Sequence, residues 1–367
     1  MLSKIVQPLL TWYDQGHRIL PWRLSKNPYY IWISEIMLQQ TRVEAVKPYF
    51  ERFIHEFPTI EAVANAEEEQ LLKMWEGLGY YNRVRNIQKT AKILMAEYDG
   101  IIPADYNVLK SFPGIGNYTA GAVSSIAYNV VAPAVDGNVM RVISRIEERT
   151  DDIMRQSSKT SVEQALLNVM PQQRAGDFNQ ALMELGATIC VPNGAPICDA
   201  CPVRNLCGAY VHNRIDELPV KSQKKARKIE YRTVLLIQDG NKVAIHKRDN
   251  KGLLAGLYEF PNILEQMSEQ EAINYVKKID LIPLQVSRLE DSKHIFSHIE
   301  WRMRGYSIKV ASLDSVSYYN NENNELENLI FVDQRETEDH YAIPAAFSAY
   351  TKYLNIRLGQ EKYRQEE

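Results

Sequence analysis

No run in this sequence approaches eighteen apolar residues, so nothing in it is long enough for a membrane-spanning helix. The opening stretch, Met1-Leu-Ser-Lys-Ile-Val-Gln-Pro, has no apolar signal core, and a cytoplasmic protein with no membrane attachment is expected. Cationic excess is missing as well. The 43 Lys and Arg residues against 46 Asp and Glu leave a formal charge of −3, so a polyanionic partner would have to be held by local basic patches and backbone donors. Internal repeats and long low-complexity segments are absent. Outside residues 190–207 there is no cysteine, which excludes a disulfide framework spread across a domain and points to one metal centre in a reducing compartment. What remains is an ordinary globular chain of 367 residues, 45% hydrophobic, long enough for two cores.

The most informative stretch lies between Leu109 and Val139. Leu109-Lys-Ser-Phe-Pro113-Gly114-Ile-Gly116 reads as two short helices joined by a tight turn, because Pro113 lacks an N–H and biases the residue before it away from the helical region. Gly114 and Gly116 are expected to permit positive φ and to leave no Cβ in the way of an approaching group. Such a turn aims backbone N–H groups and a helix N-terminus outward, an anion site suited to a DNA phosphate, although an ordinary αα-hairpin with a Gly cap shares this chemistry. Beyond the second helix, Val135-Asp136-Gly137-Asn138-Val139 sets a carboxylate beside an amide, with Gly137 expected to let the backbone crowd close.

Upstream, Arg18-Ile-Leu20-Pro-Trp22-Arg23 is dense in stacking and donor groups, either a loop folded over a core Trp or a wall for a flipped-out base. A helix over 32–42 carries Glu35 among Ile31, Ile33, Ile36, Met37 and Leu38, where desolvation would raise its pKa toward that of a proton donor. Gln39, Gln40 and Thr41 close that helix. An opening helix over 3–16 with Ser3 as cap, and helices over 45–57, 59–64, 67–77 and 83–98, are also expected. The turn Gly77-Leu78-Gly79-Tyr80-Tyr81-Asn-Arg83-Val-Arg85 combines glycines, tyrosines and arginines, suited to stacking plus phosphate contact or to a plain capped turn with surface cations. Residues 140–187 keep a helical period.

The cysteines are spaced Cys190-x7-Cys198-x2-Cys201-x5-Cys207. A lone C-x2-C with unequal arms suits an iron–sulfur cube better than paired zinc knuckles, with zinc left open. From Glu230 the texture turns to alternating β runs around Asp239-Gly240-Asn241, marking a second domain.

These motifs together have a family likeness. A helix-hairpin-helix of the form L-x-x-F-P-G-I-G followed by V-D-G-N-V resembles the endonuclease III superfamily of DNA glycosylases and, within it, the adenine glycosylases of the MutY family. The resemblance covers roughly residues 10–355, on several motifs in order. It implies a mostly α catalytic domain over 1–212 with an iron–sulfur loop at 190–207, a basic linker at 213–229, an α+β Nudix-like domain at 230–355 and a polar tail at 356–367. The metal-binding Nudix box is missing, since Asn262 stands where its first Glu would follow Gly256, so the second domain is expected to read rather than hydrolyse. By resemblance Glu35 is the catalytic acid and Asp136 the carboxylate that stabilises the sugar, with Tyr118 and Asn138 positioning groups around them. Arg18, Leu20, Trp22, Arg23 and Glu184 form the adenine pocket. Gln40, Thr41, Leu78 and Tyr80 enter the stack, and Phe296-Ser297-His298, within a segment that alternates like a strand, resembles the loop that recognises 8-oxoguanine. Gly114 and Gly116 hold the backbone, and the four cysteines hold a [4Fe-4S] cluster. The family spacing is C-x6-C-x2-C-x5-C, so this chain has one extra residue in the first arm.

The function implied is a monofunctional adenine DNA glycosylase, acting as a monomer on double-stranded DNA with adenine opposite 8-oxoguanine or guanine, in a bacterial-type, nucleoid-associated setting. Superfamily members with lyase activity carry a Lys where this chain has Tyr118. The rivals are a helix-hairpin-helix glycosylase of other base specificity, against which Phe296-Ser297-His298 speaks, and a catalytically silent DNA-binding homologue, against which the joint presence of Glu35 and Asp136 speaks.

Overall fold

A computed structural model of the chain describes residues 2–192, 194–222, 226–313 and 329–363. The chain packs as two compact units, Met1–Asn65 with Asn86–Lys224, and Ala66–Arg85 with Lys225–Glu367. The first is helical: α1 (Val6–Gln15), α2 (Pro28–Met37), α3 (Val43–Glu56) and α4 (Ile60–Asn65) precede α5 (Glu68–Met74), which belongs to the second unit. Then come α6 (Asn82–Glu97), α7 (Tyr106–Ser111), α8 (Asn117–Tyr128), α9 (Gly137–Ile146), α10 (Gln156–Leu167), α11 (Ala175–Thr188) and the short α12 (Gly208–Val211).

Helix α2 is central because it is apolar on nearly every side. Asn27 caps it by accepting the Tyr29 N–H at 2.9 Å, Pro28 fills the first helical position, and seven consecutive residues, Ile31 to Met37, are buried. The expected hairpin is α7 and α8. Phe112, just before Pro113, is extended at ψ 147°, as the proline requires, and Gly114 has φ +76°, where a Cβ would lie 2.7 Å from the Asn86 Cβ. Gly116 differs from expectation, with φ −96° and open space where a Cβ would sit. Its value is the clear approach to the N-terminus of α8, which no side chain caps. Gly137 likewise has nothing within 4 Å of its Cβ position, so no close backbone packing explains it.

In the second unit, β1 (Lys228–Asp239) and β2 (Lys242–Lys247) form the expected hairpin. They join β3 (Tyr258–Glu259), β4 (Asn262–Ile263), β5 (Pro283–Arg288), β6 (Ser292–Ile295), β7 (Ile299–Val310) and β8 (Leu329–Asp333) in one mixed sheet ordered β3-β2-β1-β7-β5. The long β1 and β7 run parallel at its centre. Val234 and Leu236 face a core containing Trp301, Phe260 and Phe347, while Leu235 and Ile237 face α13 (Glu269–Lys278). Burial on both faces explains the unbroken Val-Leu-Leu-Ile run. The helices α14 (Gln334–His340) and α15 (Ser348–Thr351) follow.

Several boundaries differ from the sequence reading. The segment Ala66–Arg85 packs with the second unit. Residues 356–363 are no polar tail: Ile356 and Leu358 are buried, and Gly359 donates its N–H to Glu76 at 3.0 Å. The region 213–229 is a linker only in part, since Leu218 is buried in the first unit's core and Lys228 already opens β1. The opening helix begins as a 3-10 turn, Leu2–Ile5, so Ser3 does not cap α1. Residues 345–354, where a closing helix is also expected, form only short 3-10 and α turns. Residues 296–298 form the turn between β6 and β7, closed by the Phe296 N–H on the Ile299 carbonyl at 2.8 Å, rather than continuing a strand.

Candidate active site

A cleft of about 840 Å³ in the first unit gathers Glu35, Tyr118, Asp136 and Asn138 with Arg18, Leu20, Trp22, Arg23, Gln40, Thr41 and Gly116. Its size lies in the range of roughly 300–1,000 Å³ typical of small-molecule sites. Glu35 projects into it from α2 and is 5% exposed. Burial pushes its pKa up to about 7, the Tyr118 hydroxyl opposes that rise, and the nearby Asp136 carboxylate adds to it. Tyr118, in the first turn of α8, donates its hydroxyl to Glu35 Oε2 at 2.5 Å. Burial holds the phenol well above its ordinary pKa, so it stays a donor.

Asp136 is the N-cap of α9. Its Oδ1 accepts the Val139 N–H at 2.8 Å and its Oδ2 accepts the Asn138 side-chain N–H at 2.8 Å. Burial nevertheless raises its pKa, against the pull of these donors. Asn138 is held from behind: its Oδ1 accepts from Arg141 at 2.9 Å, and a Cβ on Gly186 would lie 2.7 Å from its own Cβ. Two carboxyls, one poised to be protonated near neutrality and one fixed by two donors, can divide general-acid and electrostatic work between them.

Replacing Tyr118 with Phe removes the donor that lowers the Glu35 pKa. The rate of a step needing protonated Glu35 falls as pH rises through that pKa, so the falling limb of a single-turnover pH profile should move to higher pH in Tyr118→Phe. A limb left in place or moved to lower pH would mean that this hydrogen bond does not tune the acid.

At the other side of the cleft Glu184, 2% exposed, does not line the cavity. It holds the two arginines that do. Arg18 donates to it through Nε at 2.7 Å and Nη2 at 3.0 Å, and Arg23 through Nη1 at 2.8 Å. Burial would raise the Glu184 pKa, but the Arg18 hydrogen bond and the Arg23 charge outweigh it and hold the carboxylate below its usual range. Leu20 and Trp22 are buried and add apolar wall. Gln40, at φ +58°, and Thr41 also line a groove that continues past Asp136 and carries Arg42, Lys159 and Lys221.

The remaining predicted DNA-facing residues sit in the second unit. Tyr80 is 49% exposed and its hydroxyl lies 2.9 Å from the Ser297 hydroxyl, which joins the 77–80 turn to the 296–298 turn. Leu78 is buried at 7% exposure and offers no comparable surface. Phe296 packs edge-on against His294 and Trp301, while Ser297 and His298 are exposed. Asn262 bridges Arg232 and the Phe260 carbonyl, and the Nudix-box spacing continues to Asn274 and Tyr275 on α13 in place of its final acids.

The family described as "HhH-GPD superfamily base excision DNA repair protein" matches residues 33–172, and the NUDIX domain family matches residues 233–353. An adenine DNA glycosylase of Buchnera aphidicola subsp. Baizongia pistaciae is 36% identical over 296 residues, which cover 80% of this chain and 82% of that protein. The chain belongs to the adenine DNA glycosylase family. The human family member is 34% identical, over 84% of this chain and 67% of its own length. Among solved structures, a thermostable thymine-DNA glycosylase superposes with a TM-score of 0.52 at 28% identity, covering 57% of this chain and 97% of that one. The fold is therefore a helix-hairpin-helix glycosylase domain with an α+β Nudix-like domain.

Within this family frame the cysteine loop has its own geometry. Cys190, Cys198, Cys201 and Cys207 line one small cavity together with Arg145, whose Nη1 lies 3.2 Å from the Cys190 sulfur. Among the described residues, no three His, Cys, Asp or Glu side chains converge where they could hold a metal ion. Four thiols around a shared cavity, with a cation beside one, make an all-sulfur donor set that fits a multinuclear iron–sulfur centre.

Sequence reasoning missed Arg141, which donates to Asn138, to the Gly186 carbonyl at 2.8 Å and to the Cys190 carbonyl at 2.8 Å. Its position three residues after Asn138 on a helix was the available signal. Met154 and Lys159, which line the cleft, carried none.

Proposed function

We propose that this chain is a monofunctional glycosylase that hydrolyses the N-glycosidic bond of adenine mispaired with 8-oxoguanine, and with guanine, in double-stranded DNA. Its relatives are named adenine DNA glycosylases, and the base excision repair family matches residues 33–172, which include Glu35, Tyr118, Asp136 and Asn138. The observation that carries the reading is the meeting of Glu35 and Asp136 in one cleft with a phenol, not a lysine, between them.

Adenine leaves poorly as an anion. As the C1′–N9 bond breaks and its electron pair moves to the base, Glu35 delivers a proton to N7. The sugar becomes oxocarbenium-like, and the Asp136 carboxylate, held by Val139 and Asn138, stabilises that charge. Water then adds to C1′ and gives up its proton to the Glu35 carboxylate, which restores the acid and leaves an abasic site. Tyr118 cannot form a Schiff base, so strand cleavage is not part of the reaction. The arginines held by Glu184 and the walls of Leu20 and Trp22 receive the extruded base. The hairpin at Gly114 and Gly116 holds a phosphate, and the paired turns at Tyr80 and Ser297 read the opposite base. Cys190, Cys198, Cys201 and Cys207 would hold a [4Fe-4S] cluster, which would tie the loop together and supply no redox step to hydrolysis. The enzyme works as a monomer on DNA. No described helix is long and apolar enough to cross a membrane.

Chromatography of small molecules released from duplexes tests this directly. Free adenine should appear from adenine opposite 8-oxoguanine or guanine and not from adenine opposite thymine. Release of thymine or an oxidised pyrimidine instead would replace the substrate assignment.

A further inference from the structure

Glu76 lies outside the catalytic cleft, is 2% exposed and immediately precedes the Tyr80 turn. Its Oε1 accepts the Ile343 N–H at 2.8 Å and its Oε2 accepts the Gly359 N–H at 3.0 Å, while Lys73 donates to both oxygens at 3.0 Å. Lys73 also donates to the Tyr341 carbonyl at 2.9 Å. One buried carboxylate thus buckles together three segments distant in sequence, and the last of them lies in the stretch that reads as a polar tail.

The turn that starts from this buckle is tightly specified. Gly77, Gly79 and Tyr80 have φ of +96°, +70° and +47°. Arg83 donates to the carbonyls of Leu78 at 2.9 Å and Gly79 at 3.1 Å, and the Trp75 indole donates to the Gly79 carbonyl at 3.1 Å. A non-glycine residue with positive φ costs free energy and persists only where its surroundings hold it. The strained tip is Tyr80, the residue that meets Ser297.

We propose that Glu76 is a positioning residue for opposite-base recognition, buckling the C-terminal segment at Gly359 to the base of the Tyr80 turn so that Tyr80 and Ser297 meet in one register. This rests on the reading that Tyr80 and residues 296–298 face the base opposite adenine. In Glu76→Gln the side chain keeps one acceptor oxygen and gains an amide NH2 donor, so one of the two backbone N–H groups faces a donor. Gly359→Pro leaves Glu76 intact but removes the N–H it accepts and cannot adopt the φ of +55° found there.

The test measures single-turnover excision by the full chain from duplexes with adenine opposite 8-oxoguanine and opposite guanine, with melting followed in parallel. Glu76→Gln and Gly359→Pro should each lower the preference for 8-oxoguanine about tenfold, the worth of one charge-assisted hydrogen bond, while the guanine rate stays within about twofold. In a Tyr80→Phe background, Glu76→Gln should cost no further preference, because the contact it positions is already gone. Equal loss on both duplexes, additive loss in the double variant, or an unchanged preference in folded Glu76→Gln and Gly359→Pro would overturn the proposal alone. A parent protein with no preference between the two duplexes would overturn the opposite-base reading and this proposal with it.

Discussion

Glu35→Gln should slow adenine excision by about 10³-fold, inside the range of roughly 10²–10⁴ typical of general acid–base catalysis. Glutamine has nearly the same shape and can still accept the Tyr118 hydroxyl, so α2, buried along its length, keeps its packing. What is lost is the proton. Glu35 is held at a pKa of about 7 chiefly by burial, so a large fraction of the parent enzyme carries that proton at neutral pH, and an amide cannot transfer one to N7. Binding of a duplex with adenine opposite 8-oxoguanine should be retained, since the arginines, the hairpin and the Tyr80 turn are untouched. Titration of binding together with single-turnover kinetics separates the two. Excision at the parent rate would remove Glu35 from the mechanism, and joint loss of binding and excision would assign it a structural role.

Asp136→Asn should cost about 10²–10³-fold in the same rate, the scale seen when an electrostatic partner of a transition state is removed. This position has two jobs. As N-cap it accepts the Val139 N–H, and asparagine is about as good a cap as aspartate, so α9 should survive and the melting temperature should change little. As a carboxylate it meets the cationic sugar, and that charge disappears. The second oxygen, which accepts from Asn138, would become a donor facing a donor, and turning over either amide only moves that clash to the Val139 N–H or to Arg141. Asp136→Ala should lose the same catalysis and also about 1 kcal/mol of stability with the cap. If Asp136→Asn excised adenine normally while Asp136→Ala did not, the residue would matter only as a cap.

The residues proposed for catalysis are legible in the sequence because each sits in a local signal. Pro113 and Gly114 announce the hairpin, Asp136 stands just ahead of a helical period, and Glu35 is an acid in an apolar helix. The structure adds the Tyr118–Glu35 hydrogen bond, made between residues 83 apart in sequence. Glu184 shows where reading by position falls short. It was assigned to the base, yet its partners are Arg18 and Arg23, and such long-range pairs leave no periodic trace. The polar tail is hidden for a similar reason, because its place rests on long-range contacts: Ile356 and Leu358 enter the core, and Gly359 gives its backbone N–H to Glu76. At 296–298 the resemblance to a loop agrees with the turn, and only the strand texture of its flanks, which do alternate, hides the closing hydrogen bond from Phe296 to Ile299. Gly116 keeps the approach to α8 clear, as its missing Cβ suggests, but does not need positive φ, and Gly137 shows no close packing within the chain.

The most direct test of the account is a duplex with one adenine opposite 8-oxoguanine, labelled on the adenine strand, with adenine–thymine and adenine–cytosine controls. After single-turnover incubation each sample is divided, and half receives hot alkali. The account predicts strand breaks at the adenine only after alkali, and only in the 8-oxoguanine duplex or its guanine counterpart. Breaks without alkali would contradict it by showing lyase action where Tyr118, and not a lysine, meets the acid, and binding with no breaks in either half would mean a silent DNA-binding protein.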